Sequence, residues 1–266
     1  MKKLNLLLGI LIGLTILSCS SDNSNNEESP SDKSKLIKKI TITQNGTPQS
    51  IFTFEYSNDK LISLTEELDN KTEYNYSGNQ LNYELRLEYN FSTSSYDLEY
   101  ERTDFEYQSN ILKSDLVTEN GNYKEKQDYV LNTNGKMIEY DFYYYFINEW
   151  YSGGSRLFEY VSGNITKETQ TDNNDNVVFK YQYTYDDKKH PLVNLDIQIR
   201  RQIWGYRLNS MNENNILSYS TYDGNDILQS SFTYTYIYDN DGYPVEREKL
   251  ESSTNQVIET IIYKYE

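Results

Sequence analysis

The chain has 266 residues and a formal net charge of −16, with 41 acidic against 25 basic side chains. That balance excludes binding along a phosphate backbone and docking on anionic head groups, both of which need clustered Lys and Arg, so no nucleic-acid partner is expected. There are 28 tyrosines and no alanine; tyrosine favours strands and alanine is the best helix former, which excludes a helical or α/β fold and points to an all-β one.

The first element is an address. Met1-Lys2-Lys3 is basic and Leu4 to Leu17 almost wholly apolar, the layout of a secretory signal peptide over residues 1–18. The apolar run is short for a helix that must cross ~30 Å of hydrocarbon. Ile16-Leu17-Ser18-Cys19 then sets a small residue before the only cysteine and resembles the bacterial lipobox. Cys19 is therefore the expected lipidation site, and the membrane a partner through that lipid alone. Acyl chains contribute about 0.8 kcal/mol per buried methylene, and several on one residue anchor stably. A lone cysteine leaves no intramolecular disulfide.

Residues 19–35 follow as the lipidated cysteine and its tether. Ser20 to Ser34 contains no apolar residue, so it cannot bury enough surface to offset its ordering entropy. As a flexible coil it reaches roughly 20 Å. Asp22, Glu27 and Glu28 resemble the acidic segment behind the lipidated cysteine of surface-exported Bacteroidetes lipoproteins, an ordinary polar spacer being the other reading. The expected localisation is the outer membrane, surface-exposed or periplasm-facing.

Residues 36–266 read as one domain built from a repeat. A strand ends in aromatic-x-Tyr, a polar Asn/Asp/Gly/Ser turn follows, and an aliphatic residue opens the next strand. The copies are Phe54-Glu55-Tyr56 to Leu61, Tyr74-Asn75-Tyr76 to Leu81, Phe105-Glu106-Tyr107 to Ile111-Leu112, and Phe158-Glu159-Tyr160 to Ile165. Tyr183-Thr184-Tyr185, Tyr236-Ile237-Tyr238 and Tyr263-Lys264-Tyr265 continue the series, with weaker copies at Tyr129-Val130-Leu131 and Arg207-Leu208-Asn209. The spacing leaves room for two strands and two turns per unit. Leu81, Tyr83, Leu85, Leu87, Tyr89 and Phe91 alternate with Asn82, Glu84, Arg86, Glu88 and Asn90, one face buried and one wet. The expected architecture is an antiparallel meander of roughly 14 to 18 strands in tyrosine-rich hairpins, curled or barrel-like because so many strands do not lie flat.

Two segments carry a resemblance. Tyr238-Asp239-Asn240-Asp241-Gly242-Tyr243-Pro244-Val245 resembles the YD repeat of Rhs-type proteins. Tyr183-Thr184-Tyr185-Asp186-Asp187-Lys188-Lys189-His190-Pro191-Leu192 is similar to a stretch of Bacteroidetes lipoproteins of the DUF4595 type. The resemblance implies a porin-like β fold and no assigned activity. A membrane-embedded barrel is disfavoured, because Tyr is spread along whole strands instead of gathering in interfacial girdles.

Chemistry is sparse. With one histidine, His190, expected in an exposed turn, and a lipidated cysteine, no Ser-His-Asp or Cys-His site is expected. No zinc or other metal site and no cofactor are expected. Asp172, Asn174 and Asn176 start an EF-hand-like spacing, but Val177 and Tyr183 stand where Gly and Glu are needed, so a turn is expected. Asp223-Gly224-Asn225-Asp226 and Asp239-Asn240-Asp241-Gly242 read as turns too, and Gly153-Gly154-Ser155 as a loop. Glu84 with Glu88, and Glu99 with Glu101, are placed on the wet face, where charge serves solvation. The remaining signal is aromatic excess at Asp141 to Tyr151. Tyr143 and Tyr145 alternate with Phe142, Tyr144 and Phe146, so both faces carry rings. Tyr143, Tyr145, Trp150, Tyr151 and Trp204 are the candidate stacking residues for a glycan or peptide. The reading is a non-enzymatic binding module, with a structural periplasmic lipoprotein supporting an envelope complex as the alternative.

Overall fold

The computed structural model describes residues 35–203 and 210–266; the signal segment, Cys19, the tether, Trp204 and the Arg207-Leu208-Asn209 copy lie outside them. The first eight strands are β1 (Ile37–Gln44), β2 (Thr47–Ser57), β3 (Lys60–Glu66), β4 (Asn70–Ser77), β5 (Gln80–Asn90), β6 (Ser95–Gln108), β7 (Ile111–Glu119) and β8 (Asn122–Leu131). After them come β9 (Met137–Phe146), β10 (Glu149–Val161), β11 (Asn164–Thr171) and β12 (Val177–Lys189). A short helix, α1 (Ile197–Gln202), precedes β13 (Asn214–Asp223), β14 (Leu228–Tyr238), β15 (Pro244–Glu251) and β16 (Val257–Tyr265). Each strand is antiparallel to its sequence neighbours, and β1 pairs with β16, so the meander closes into a barrel. Closure leaves no exposed edge for another chain to extend.

The turns follow from their residues. Asn45-Gly46 (φ 48° and 79°) and Asn120-Gly121 (φ 50° and 76°) supply the two left-handed positions of a tight hairpin. At Asn132, Asp172, Asp223 and Asp239 the side-chain Oδ1 accepts from the backbone N–H groups two and four residues on. This self-capping is why Asp and Asn open these loops.

The tyrosine of the repeat has one recurring task. Its hydroxyl donates to the carbonyl of the residue that opens the other strand of its pair: Tyr56 to Ile37 (2.7 Å), Tyr76 to Leu61 (2.8 Å), Tyr107 to Leu81 (2.8 Å) and Tyr160 to Met137 (2.9 Å). Tyr185 to Ile165, Tyr236 to Ile216 (2.9 Å) and Tyr265 to Pro244 (2.8 Å) complete the series. A register shift sits at each of those opening residues, as where Tyr76 pairs with Leu81 but Asn75 pairs with Tyr83. A bulge leaves a residue out of the ladder, and the phenol of the next strand satisfies the carbonyl beside it. The bond between β7 and β8 is missing because Leu131 stands in the tyrosine's place. Each bond contributes about 1 kcal/mol. Burial keeps these phenols neutral, and pushes Tyr107 to about 12.

The same bulges reassign the faces. Leu81 is buried inside the barrel, but the bulge at Asn82 inverts the alternation after it. Glu84 and Arg86 thus point into the lumen with Thr103 and Glu101, their partners on β6, while Tyr83, Leu85 and Leu87 face outward. This corrects the wet-face placement of Glu84 and Glu101. From β11 to β16 the outward positions mix polar residues, among them Lys167, Thr169, Gln182, Thr184, Ser218, Ser220, Thr233, Thr235, Glu246, Glu248 and Thr260, with apolar ones, among them Leu228, Ile237, Leu250 and Ile262.

The core fills one end of the barrel. Ile37, Ile40, Phe54, Leu61, Leu81, Leu112, Met137, Phe158 and Ile165 pack there against Leu192, Leu195, Ile199, Ile203 and Met211 from the segment between β12 and β13. That segment is tied to strands around the ring. Gln198 Oε1 accepts from Leu81 N–H (2.9 Å) and Tyr107 Oη (2.8 Å), Asn212 Oδ1 from Ile165 N–H (2.7 Å), and Arg201 donates to the Gly135 carbonyl (2.9 Å). Arg200 is held by the carbonyls of Ser210 and Asn212. His190 belongs to this plug: it is buried, and its Nδ1 accepts from Leu192 N–H at 3.2 Å. The expected exposed turn is corrected, since Pro191 and Leu192 carry the chain inward.

Candidate functional site

An outward cluster of rings lies on β8 to β10. Register places Tyr143 and Tyr145 on the outer face, opposite Lys126 and Trp150, and turns Phe142 and Tyr144 to the lumen. Tyr145 and Trp150 meet at 5.0 Å between ring centroids, Tyr123 and Tyr145 at 5.4 Å, and Tyr123 and Trp150 at 6.1 Å. Lys126 Nζ sits 5.6 Å over the Tyr143 ring and 2.9 Å from Asp128. These rings flank a groove of roughly 750 Å³ whose other walls include Asp104, Glu106, Ser114, Leu116 and Asp128. Tyr123 and Trp150 are exposed and Tyr143 and Tyr145 half-buried. Apolar ring faces beside convergent carboxylates suit a ligand that presents C–H faces and hydroxyls together.

Two glycines shape this part of the wall. Gly153 and Gly154 lie inside β10, not in the expected loop, and form its bulge against β9. A Cβ on Gly153 would stand 2.4 Å from the Phe142 ring, and one on Gly154, at φ 112°, 2.1 Å from the Thr171 carbonyl. The bulge keeps Trp150 outside while Arg156 points inward.

The structure thus brings Tyr143, Tyr145 and Trp150 together. Tyr151 pairs with Tyr144 and faces the other way, its hydroxyl on Glu149 at 3.3 Å. Trp204 and Cys19 lie outside the described residues. Sequence reading missed Tyr123, whose signal was its position next to Asn120-Gly121: a tight hairpin turn places its outward residue level with the following strand.

A second concavity, of roughly 710 Å³, lies inside the barrel towards the end away from the plug. Arg156 pairs with Glu168 (2.6 Å) and Arg247 with Glu259 (2.6 Å), and Tyr183 donates to Glu168 (3.1 Å). Burial pushes the Glu168 carboxyl up, against the pull of Arg156 and Tyr183. Tyr181, Tyr219 and Phe232 line up in a near-parallel stack at 6.1 and 6.0 Å, and Lys249 Nζ stands 3.9 Å over Phe232. Opposite lie two carboxyls taken out of water. Burial, and then Asp115, raise Glu84 to about 8; burial raises Asp115 to about 7 despite the Tyr129 hydroxyl at 2.5 Å. One oxygen of each, Glu84 Oε2 and Asp115 Oδ1, is buried without a hydrogen-bond partner. Among the described residues no group of three or more His, Cys, Asp or Glu side chains is arranged to hold a metal.

The fold recurs in a solved structure. A porin-like protein from Bacteroides uniformis ATCC 8492 superposes with a TM-score of 0.54 over 86% of this chain and 96% of its own, at 12% identity. A porin-like protein from Bacteroides vulgatus ATCC 8482 covers 88% of this chain and 99% of its own, at a TM-score of 0.45 and 14% identity. At 12% identity the first likeness is one of fold alone, and it agrees with the porin-like β architecture that the sequence resemblance implies. No family model and no curated protein matches the chain, so the DUF4595 and YD resemblances rest on the two segments quoted above.

Proposed function

We propose that the protein is a non-enzymatic binding module, exported and held to the outer membrane by lipid on Cys19, whose outer groove takes a neutral saccharide chain. The observation that carries this reading is the gathering of Tyr123, Tyr145 and Trp150 within about 6 Å of one another on the outer wall. Exposed rings cost solvation and are kept where a ligand covers them. Asp104, Glu106 and Asp128 at the groove accept hydroxyl donors and repel anions, which favours an uncharged sugar. Attachment is left to the lipid, with the barrel as a rigid carrier for the groove.

The test is isothermal titration calorimetry of the barrel against a panel of neutral hexasaccharides. A member of the panel is expected to bind and to lose about tenfold or more in affinity in Trp150→Ala and Tyr145→Ala. Equal binding by both variants, or no binding across the panel, overturns the proposal.

A further inference from the structure

The lumenal concavity is chemically unlike the outer groove. Its walls carry three cations, Arg156, Arg247 and Lys249, against two carboxylates, Glu168 and Glu259, so it is locally positive in a chain of net charge −16. Each arginine is tied by one nitrogen to a glutamate, Arg156 through Nη1 and Arg247 through Nη2. Arg247 Nε is buried and has no hydrogen-bond partner. A guanidinium has five donors in a rigid fork and is satisfied best by a planar acceptor such as a carboxylate. Beside it the wall is aromatic: Tyr181, Tyr219 and Tyr234 face the same space, with the Arg247 guanidinium 5.2 Å from the centre of the Tyr234 ring.

A packed barrel fills this space with apolar side chains, as the plugged end does. Here it holds an orphaned cationic donor and a tyrosine wall, in a cavity large enough for a small molecule. We propose that the lumen is a second binding site, for a small monoanion that bears a carboxylate on a ring, the carboxylate meeting Arg247 and the ring lying against Tyr219 and Tyr234. The site accepts ring acids of sugar or aryl type by the same chemistry. It is independent of the outer groove, which lies on β6 to β10, whereas the lumenal site is lined from β10 round to β16 and the end of β1.

The experiment is ligand-observed NMR and calorimetry with glucuronate and benzoate, against glucose and benzyl alcohol as neutral controls. A ring acid is expected to saturate the wild type and Trp150→Ala equally, with the neutral control weaker by about tenfold or more. Binding should be lost by about tenfold or more in the double variant Arg247→Met with Glu259→Leu, which removes the buried pair together and leaves no lone charge behind. Should that variant melt before titration, Lys249→Gln, at a half-buried position, carries the same expectation. Saturation by glucuronate alone assigns a uronic sugar, and by benzoate alone an aryl acid. Equal binding of acid and neutral probes, retention of binding by the variants, or loss of it in Trp150→Ala overturns the proposal.

Discussion

Glu84 is the residue whose replacement gives the sharpest thermodynamic reading of the barrel's interior. Burial, with Asp115 nearby, raises its carboxyl from the ordinary 4.5 to about 8. The folded state therefore holds a proton that the unfolded chain releases above pH 4.5. Because the native state binds more protons in this window, stability falls as pH rises and levels off above pH 8. At about 1.4 kcal/mol per pH unit, Glu84 lowers stability by about 2 to 3 kcal/mol between pH 5 and pH 7, and by about 4 kcal/mol by pH 9. Glu84→Gln keeps the shape, the partner Thr103 and the polar character but removes the titration of this residue, leaving that of Asp115 in both proteins. Urea unfolding at pH 5, 7 and 9 should then show the variant more stable than wild type at pH 7 and 9, with the gap closing at pH 5. The window avoids the carboxyls of Asp97, Asp172 and Asp239, which hydrogen bonds hold below their usual range. Parallel profiles for the two proteins would refute a lumenal, desolvated Glu84.

Other substitutions probe the wall. Tyr76→Phe removes the hydroxyl from the Leu61 carbonyl and is expected to cost about 1 kcal/mol or somewhat more in urea unfolding, since the carbonyl loses its partner. Leu131→Tyr restores the missing bond between β7 and β8 and should raise stability by up to about 1 kcal/mol, read from the same transition. Gly154→Ala meets the Thr171 carbonyl at 2.1 Å and a φ of 112°; about 3 kcal/mol or more should be lost, and the emission of the adjacent Trp150 should change with it.

Much of this barrel is written in the chain, but not the part that decides which residues face inward. The tyrosine repeat and its Asn-Gly and Asp turns mark strand ends directly, because φ > 0 and self-capping restrict residue choice. Zero alanine and abundant tyrosine made the all-β class legible. The bulges were not legible, since an extra residue such as Asn82 carries no special chemistry and yet inverts every position after it. That single shift moved Glu84 and Glu101 from an assumed wet face into the lumen. His190 was misplaced for a related reason: a polar stretch beside Asp186-Asp187 reads as exposed, whereas it belongs to a plug whose other residues are tied to positions as distant as Leu81 and Gly135. Strict alternation in Asp141 to Tyr145 set Tyr143 and Tyr145 on one face and Phe142 and Tyr144 on the other, as the register does. Tyr151 lost its partner Trp150 because neighbours in a strand point to opposite faces.

The chain has two tryptophans, Trp150 and Trp204, and this gives the most direct test of the binding reading. In Trp204→Phe the remaining indole sits in the outer groove, so its fluorescence reports on the ring cluster alone. Titration with the neutral hexasaccharide that binds in calorimetry should shift or quench the emission saturably, with the same midpoint as the heat. If heat is released and the Trp150 emission does not move, the saccharide binds elsewhere and the groove is not the site.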